Sequence, residues 1–277
     1  MEKKQLQFHD GTPEIRIVNA KTGIVKTKLG FNYALNPYRG CTHACVYCYA
    51  PYVLRETSEW GSFLEVKENL PDLVAKEVRK LGRNEIVGIG TVTDPYQPAE
   101  EKFRITRRCI EILKNAGKKF VVQTKSALVL RDIELLMHAE LGITITTLDA
   151  EIASVIEPNA SSPAERLRVL SELGKAGIKT FAFIGPVFPH FFSTPERRER
   201  FFCELAKAEP GIVMFDRFRV REGMEAKIKR KVPKLYSKLF ADAFKYRNEE
   251  WDTLLLHLKE EAKKFGLKVG VAETENW

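Results

Sequence analysis

The chain has 277 residues, 44% of them hydrophobic and 30% charged, enough to bury a substantial core within a single α/β domain. No run of about 18 apolar residues is present and the opening Met-Glu-Lys-Lys-Gln-Leu-Gln-Phe lacks a signal-peptide core, so the sequence predicts neither membrane insertion nor secretion, and a cytoplasmic setting. Five cysteines, three of them crowded together, are no secreted disulfide framework, and a formal net charge of +8 favours anionic partners.

Residues 1–30 are assigned to an N-terminal extension. A first strand is expected near Asn32 to Leu35, followed at once by the cysteine segment Cys41-Thr-His-Ala-Cys45-Val-Tyr-Cys48. Leu70-Pro71 marks a helix start, and a second strand runs from Glu85 to Gly90. Cys109 shares a helical face with Ile105, Ile112, Leu113 and Ala116, as ordinary core material. Further strands are expected over Lys119 to Thr124, Ile143 to Thr147, Ile178 to Gly185 and Ile212 to Phe215. Between them, Ser162-Pro-Ala-Glu165 reads as a capping box and Thr194-Pro195 as a second capped start, while Gly82, Gly117, Gly174 and Gly177 fall near helix ends. Cys203, in the apolar stretch Phe201 to Leu205, is expected to be buried. Glu249 to Phe265 and Leu267 to Val271 close the chain as a helix and a strand. Strands alternating with amphipathic helices predict a parallel sheet, with chemistry where the strands stop.

Three thiolates within eight residues can hold an iron–sulfur cluster or zinc and leave one metal corner open. With His43 as fourth ligand the segment also fits a zinc knuckle, although no second Cys/His pair follows at zinc-finger spacing. The spacing Cys-x3-Cys-x2-Cys, with Tyr47 before the last cysteine, resembles the signature of the radical S-adenosylmethionine enzymes. The longer Asn36-Pro-Tyr-Arg-Gly-Cys-Thr-His-Ala-Cys-Val-Tyr-Cys-Tyr-Ala50 resembles the branch containing spore photoproduct lyase.

The resemblance implies a partial (β/α)6 barrel over residues 31–216 with a C-terminal helix and strand extension over 217–277. It implies a [4Fe–4S] cluster on Cys41, Cys45 and Cys48, S-adenosylmethionine bound at the open iron, and a one-electron donor of flavodoxin or ferredoxin type. Reductive cleavage of the sulfonium would then give a 5′-deoxyadenosyl radical that abstracts hydrogen from substrate. By the same resemblance Thr93 and Asp94 hold the methionyl amine, Lys125 its carboxylate, Thr146 the ribose, and Gly185 admits the adenosyl group. Asp94 also reads as a turn or cap, Lys125 as a solvated lysine and Thr146 as a strand former. Tyr47 and Tyr49 match two tyrosines of the lyase's hydrogen relay, and Tyr47 equally reads as packing against the cluster. The lyase's hydrogen-returning cysteine is matched by Thr91, whose O–H bond is too strong for that step, so thymine-dimer repair by that route is not expected.

Residues 217–247 hold eleven Lys/Arg against three Asp/Glu, interleaved with Phe218, Tyr236, Phe240, Phe244 and Tyr246. This suits nucleic-acid contact, and it equally suits solvated amphipathic helices whose aromatics face the core. Two function classes follow: a radical enzyme acting on a nucleic acid or another anionic substrate, and a non-catalytic nucleic-acid-binding protein with structural zinc or a redox-sensing cluster.

Overall fold

Strand runs rich in Val, Ile and Phe pair side by side because the helices between them return each strand in the same direction. The computed structural model describes residues 5–6 and 13–270. Its strands are β1 (Gln5–Leu6), β2 (Glu14–Val18), β3 (Val25–Lys26), β4 (Tyr33–Leu35), β5 (Tyr38–Arg39), β6 (Phe63–Lys67), β7 (Ile86–Ile89), β8 (Lys119–Thr124), β9 (Glu140–Thr144), β10 (Lys179–Val187) and β11 (Ile212–Arg217). The large sheet has the order β11-β10-β9-β8-β7-β4-β3, parallel from β11 to β4, with β3 antiparallel at the edge. A smaller sheet, β1-β2-β6-β5, joins residues of the expected N-terminal extension to β6.

The helices are α1 (Ala50–Val53), α2 (Leu70–Glu77), α3 (Ala99–Phe103), α4 (Ile105–Asn115), α5 (Ala150–Ile156), α6 (Pro163–Lys175), α7 (Pro195–Lys207), α8 (Met224–Lys231), α9 (Pro233–Leu235), α10 (Ala241–Lys245) and α11 (Asn248–Lys264). Helix α4 buries Ile105, Cys109, Ile110 and Leu113 on one stripe, and α6 buries Val169, Leu170 and Leu173, each large side chain contributing about 1.5–3 kcal/mol of apolar transfer. The capping box forms: the Ser162 hydroxyl accepts from the Glu165 amide at 3.3 Å while the Glu165 carboxylate accepts from the Ser162 amide at 2.7 Å. Thr194 likewise caps α7. At the start of α2, Asn69 leaves the helix uncapped and instead bonds both the amide and the carbonyl of Ala20, stitching the N-terminal segment down.

Three expectations shift. Strand β9 begins and ends earlier than Ile143–Thr147, because its ladder with β10 starts at Glu140 opposite Lys179 and runs through Gly142, a residue with no side chain to carry the alternation. Cys203 is exposed, since the apolar face of α7 is carried by Phe201, Phe202 and Leu205 and residue 203 turns outward. The closing strand is reduced to one bridge between Val269 and Val213; Val271 lies outside the described residues.

The basic segment 217–247 folds into α8, α9, a π-type turn over Tyr236–Phe240 and α10. Phe218 and Phe240 are buried against Phe188, at ring distances of 5.2 and 4.9 Å, and Tyr236, Phe244 and Tyr246 pack on the same core. The aromatics therefore follow the amphipathic-helix pattern, and Phe218 and Phe240 are not available for base stacking. Among the described residues no helix is long and apolar enough to cross a membrane.

Candidate functional site

Residues 40–49 form the loop from β5 to α1, and a loop that buries polar backbone needs partners for every donor and acceptor. They come from two other loops. From the segment after β7, the Thr93 hydroxyl donates to the Gly40 carbonyl at 2.6 Å, and Gln97 Oε1 accepts from the Thr42 amide at 2.8 Å. From the end of α5 and the segment after it, the Ile156 carbonyl accepts from the Val46 amide at 2.9 Å and Asn159 Nδ2 donates to the Thr42 carbonyl at 2.8 Å. Between these pins the chain passes through a left-handed turn at Ala44, φ +54°, a region costly for a side-chain-bearing residue and kept only where surroundings enforce it.

Cys41, Cys45 and Cys48 all open onto a cavity of about 750 Å³ that runs along the large sheet, lined from strand amino ends at Ile86, Lys179 and Ile212 to strand carboxyl ends at Thr124, Thr144 and Arg217. Burial pushes the three thiols up, Cys45 to about 12, so metal-free they are neutral. Buried thiolates need a compensating cation, which is what a metal cluster supplies. Trp60 packs beside Cys41 and Cys48, with its indole Nε1 buried and without a hydrogen-bond partner, and the nearby indole N–H favours the Cys48 thiolate against burial. Among the described residues no three His, Cys, Asp or Glu side chains converge on a single ion. A donor set of three separated thiols with an indole N–H at one of them fits a cluster. His43, the zinc reading's fourth ligand, lines the same cavity, with its Nδ1 3.4 Å from Asp94 Oδ2.

Asp94 lies at the foot of the loop after β7, where Gly90 turns the chain at φ +87° with no room for a Cβ, which would sit 2.4 Å from Pro95. Its carboxylate accepts from the Thr124 hydroxyl at 2.6 Å, the Lys125 amide at 2.8 Å and the Tyr96 amide at 2.9 Å. Burial alone would raise its pKa; His43 and these donors outweigh burial and hold it at about 2. Asp94 thus ties β7, β8 and the cysteine loop together while lining the cavity. Thr93, bonded to Gly40, lines it too.

Lys125 follows β8 and enters the same cavity, its Nζ 5.7 Å above the Tyr47 ring and 4.0 Å from Glu157. Burial works against its charge, yet the negative groups around it, Glu157 among them, outweigh burial and raise its pKa. Gly185 lines the cavity, but the space beside it is taken by its own strand: a Cβ there would fall 2.1 Å from the Phe183 ring.

Thr146, just beyond the end of β9, is fully buried, with its hydroxyl 3.0 Å from the Tyr47 hydroxyl and 2.9 Å from Glu157 Oε1, while Thr144 lines the cavity. Tyr47 lines the cavity with its ring edge against Phe188 and donates its phenol proton to Glu157. The Tyr49 phenol donates to the Thr91 carbonyl.

Glu157 has no partner legible in sequence and several in space. Besides Tyr47, it accepts from Arg166 Nη2 at 2.5 Å, both side chains essentially buried. Burial would raise its pKa, yet Arg166 and Lys125 outweigh this and lower it. Trp60, Gln97, Asn159 and Arg166 were likewise not singled out by sequence; Tyr47 and Glu157, 110 residues apart, carry no shared local pattern.

Residues 35–208 match the signature of the radical SAM superfamily. An uncharacterised protein of Methanocaldococcus jannaschii is 40% identical over 184 residues, 64% of this chain and 68% of that protein. Uncharacterised proteins of Acidianus two-tailed virus and Mycobacterium tuberculosis are each 30% identical, over 63% and 68% of this chain and 62% and 59% of their own lengths, so the chain spans less than two thirds of either. Among solved structures, spore photoproduct lyase complexed with dinucleoside spore photoproduct superposes with a TM-score of 0.74 at 18% identity, over 93% of this chain and 81% of the lyase. Streptococcus suis SuiB bound to S-adenosylmethionine gives 0.60 at 12% identity, over 86% of this chain and 49% of SuiB. These two share the fold, and the signature covering most of the large sheet and the cysteine loop carries the assignment: the chain belongs to the radical SAM superfamily.

Proposed function

We propose that this protein is a radical SAM enzyme of the photoproduct-lyase-like branch, with Cys41, Cys45 and Cys48 holding a [4Fe–4S] cluster and the large sheet acting as a partial (β/α)6 barrel around S-adenosylmethionine and substrate. The observation that carries this reading is the opening of all three thiols onto one cavity that also receives Lys125 and the turn after β7. At about 750 Å³ it lies within the size of ligand sites, about 300–1,000 Å³. When bound, the cluster and its cofactor supply one-electron cleavage of the sulfonium and a hydrogen-abstracting radical.

The chain's own residues supply positioning. The Lys125 ammonium offers the countercharge for a methionyl carboxylate, and the loop Gly90–Asp94 offers backbone carbonyls for the amine. Thr146, bonded to Tyr47, and Thr144, which lines the cavity, are the hydroxyls offered to the ribose. Tyr47 has a proton acceptor ready in Glu157, and Tyr49 lies at Thr91, so a phenol hydrogen relay is retained where the lyase's cysteine is not. The substrate is anionic, a nucleic acid foremost, and reduction comes from a flavodoxin or ferredoxin type donor.

Anaerobically reconstituted protein should contain iron and sulfide, absorb in the visible, and release 5′-deoxyadenosine from S-adenosylmethionine under dithionite. Replacing any of the three cysteines by alanine should abolish iron loading, and Lys125→Met should weaken cofactor binding about tenfold, the loss of one charged contact. Colourless protein, or a reduced cluster that yields no 5′-deoxyadenosine, overturns the reading.

A further inference from the structure

At the carboxyl end of β11 and beyond it the sequence runs Asp216-Arg-Phe-Arg-Val-Arg221, and the three arginines, two residues apart, all line the cavity that receives the cysteines. Phe218 anchors the segment, packed on Phe188 at 5.2 Å and Phe244 at 5.2 Å. Arg217 is braced by Asn248 at 2.9 Å and Arg219 by Asp216 at 3.0 Å, which fixes two guanidinium planes at the wall. The Nε of Arg221 is buried without a hydrogen-bond partner. Asp216 and Arg221 both act on the Tyr49 phenol, so the end of β11 meets the cysteine loop across the cavity.

We propose that Arg217, Arg219 and Arg221 form a phosphate-binding subsite that holds a phosphate group of the substrate beside Tyr49. The proposal rests on the radical-enzyme reading and adds the substrate's chemical class. Arg221 holds its guanidinium at this wall with the Nε–H buried and unmatched, which is unfavourable unless an anion joins it. S-adenosylmethionine is not that anion. Its single carboxylate is matched by Lys125 on the far side of β9 and β10, and its sulfonium is repelled by arginines. Planar guanidinium forks suit the several oxygens of a phosphate, and a buried Nε–H without an acceptor is the group a phosphate oxygen would satisfy. The basic helix α8 follows at once and extends the same field, as a polyanion would need.

The test is fluorescence anisotropy of a fluorescein-labelled single-stranded thymidine oligonucleotide with cluster-loaded protein under anaerobic conditions. Arg221→Gln and the double Arg217→Gln/Arg219→Gln should each weaken binding about tenfold or more, with Arg221→Lys intermediate. Lys234→Gln/Lys238→Gln, on exposed residues of the same basic stretch, should stay within about twofold because exposed charges are screened. A second arm needs only the parental protein: at constant ionic strength, replacing chloride by inorganic phosphate should displace the oligonucleotide. Thymidine 5′-monophosphate competing as well as the unlabelled oligonucleotide identifies a small phosphorylated substrate; an oligonucleotide advantage of tenfold or more identifies nucleic acid as the source. Equal losses in the arginine and lysine variants, or phosphate no more effective than chloride, overturn the subsite. Iron content and 5′-deoxyadenosine release from the same preparations keep such a failure distinct from failure of the radical-enzyme reading.

Discussion

Glu157 and Arg166 show how far the chemistry of the site rests on residues that never touch the cavity's contents. The pair is essentially buried and shares one 2.5 Å contact, with Tyr47, Thr146 and Lys125 grouped around the same carboxylate. Removing one member of a buried ion pair leaves an uncompensated charge, which costs about 3–5 kcal/mol, whereas removing both is far milder. Glu157→Gln should therefore lower stability toward urea by about that amount, and Glu157→Gln/Arg166→Met should recover much of it. A single variant within about 0.5 kcal/mol of the parental protein would mean that the pair is not buried in solution. The cysteine triplet was legible because ligand spacing is local; Glu157 was not, because its partners at residues 47, 125 and 166 come together only through the topology.

At the scale of elements, the strands that read most clearly were those whose apolar run coincides with the ladder, as at Lys119 to Thr124. The hydroxyl alternation over 144–147 misplaced β9 because periodicity persists beyond the last strand residue, and only the pairing of Thr144 with Phe183 shows where the strand stops. In the small sheet β1 and β5 are two residues each, too short for any period to register, and β2 and β6, five residues each, pair only across about 50 residues of chain. What such patterns cannot reveal is how the cysteine loop is held. Gln97 and Asn159 grip Thr42 from opposite sides, on its amide and its carbonyl. Replacing either by alanine leaves a buried backbone group unmet at about 1–3 kcal/mol, in a segment far smaller than the core. Gln97→Ala and Asn159→Ala should accordingly load iron yet lose visible absorption several-fold faster under a chelator. Bleaching at the parental rate would show that the loop is held by the cluster alone.

The whole molecule separates what folds the chain from what arms it. Leu35, Val87, Val122, Leu141, Ile184 and Val213, one from each parallel strand, are buried in one continuous core that reaches from α2 to α11, while Cys41 and Cys48 belong to a smaller cluster with Ala50, Trp60 and Phe63. A small zinc domain has no such core and unfolds without its metal. Here the large core takes in Val46 and Tyr47 of the loop and meets Cys45 at its edge, but it is built from the sheet and its helices, and the thiols carry no charge that must be balanced when the metal is absent. Metal-free protein should therefore retain its far-ultraviolet circular dichroism and unfold cooperatively. Loading the cluster stabilises the native state because the ligands are assembled only there, so the melting temperature should rise by several degrees, with the gain lost in Cys45→Ala. A metal-free chain without cooperative unfolding would place the thiol loop inside the folding core and invert this division of labour between sheet and site.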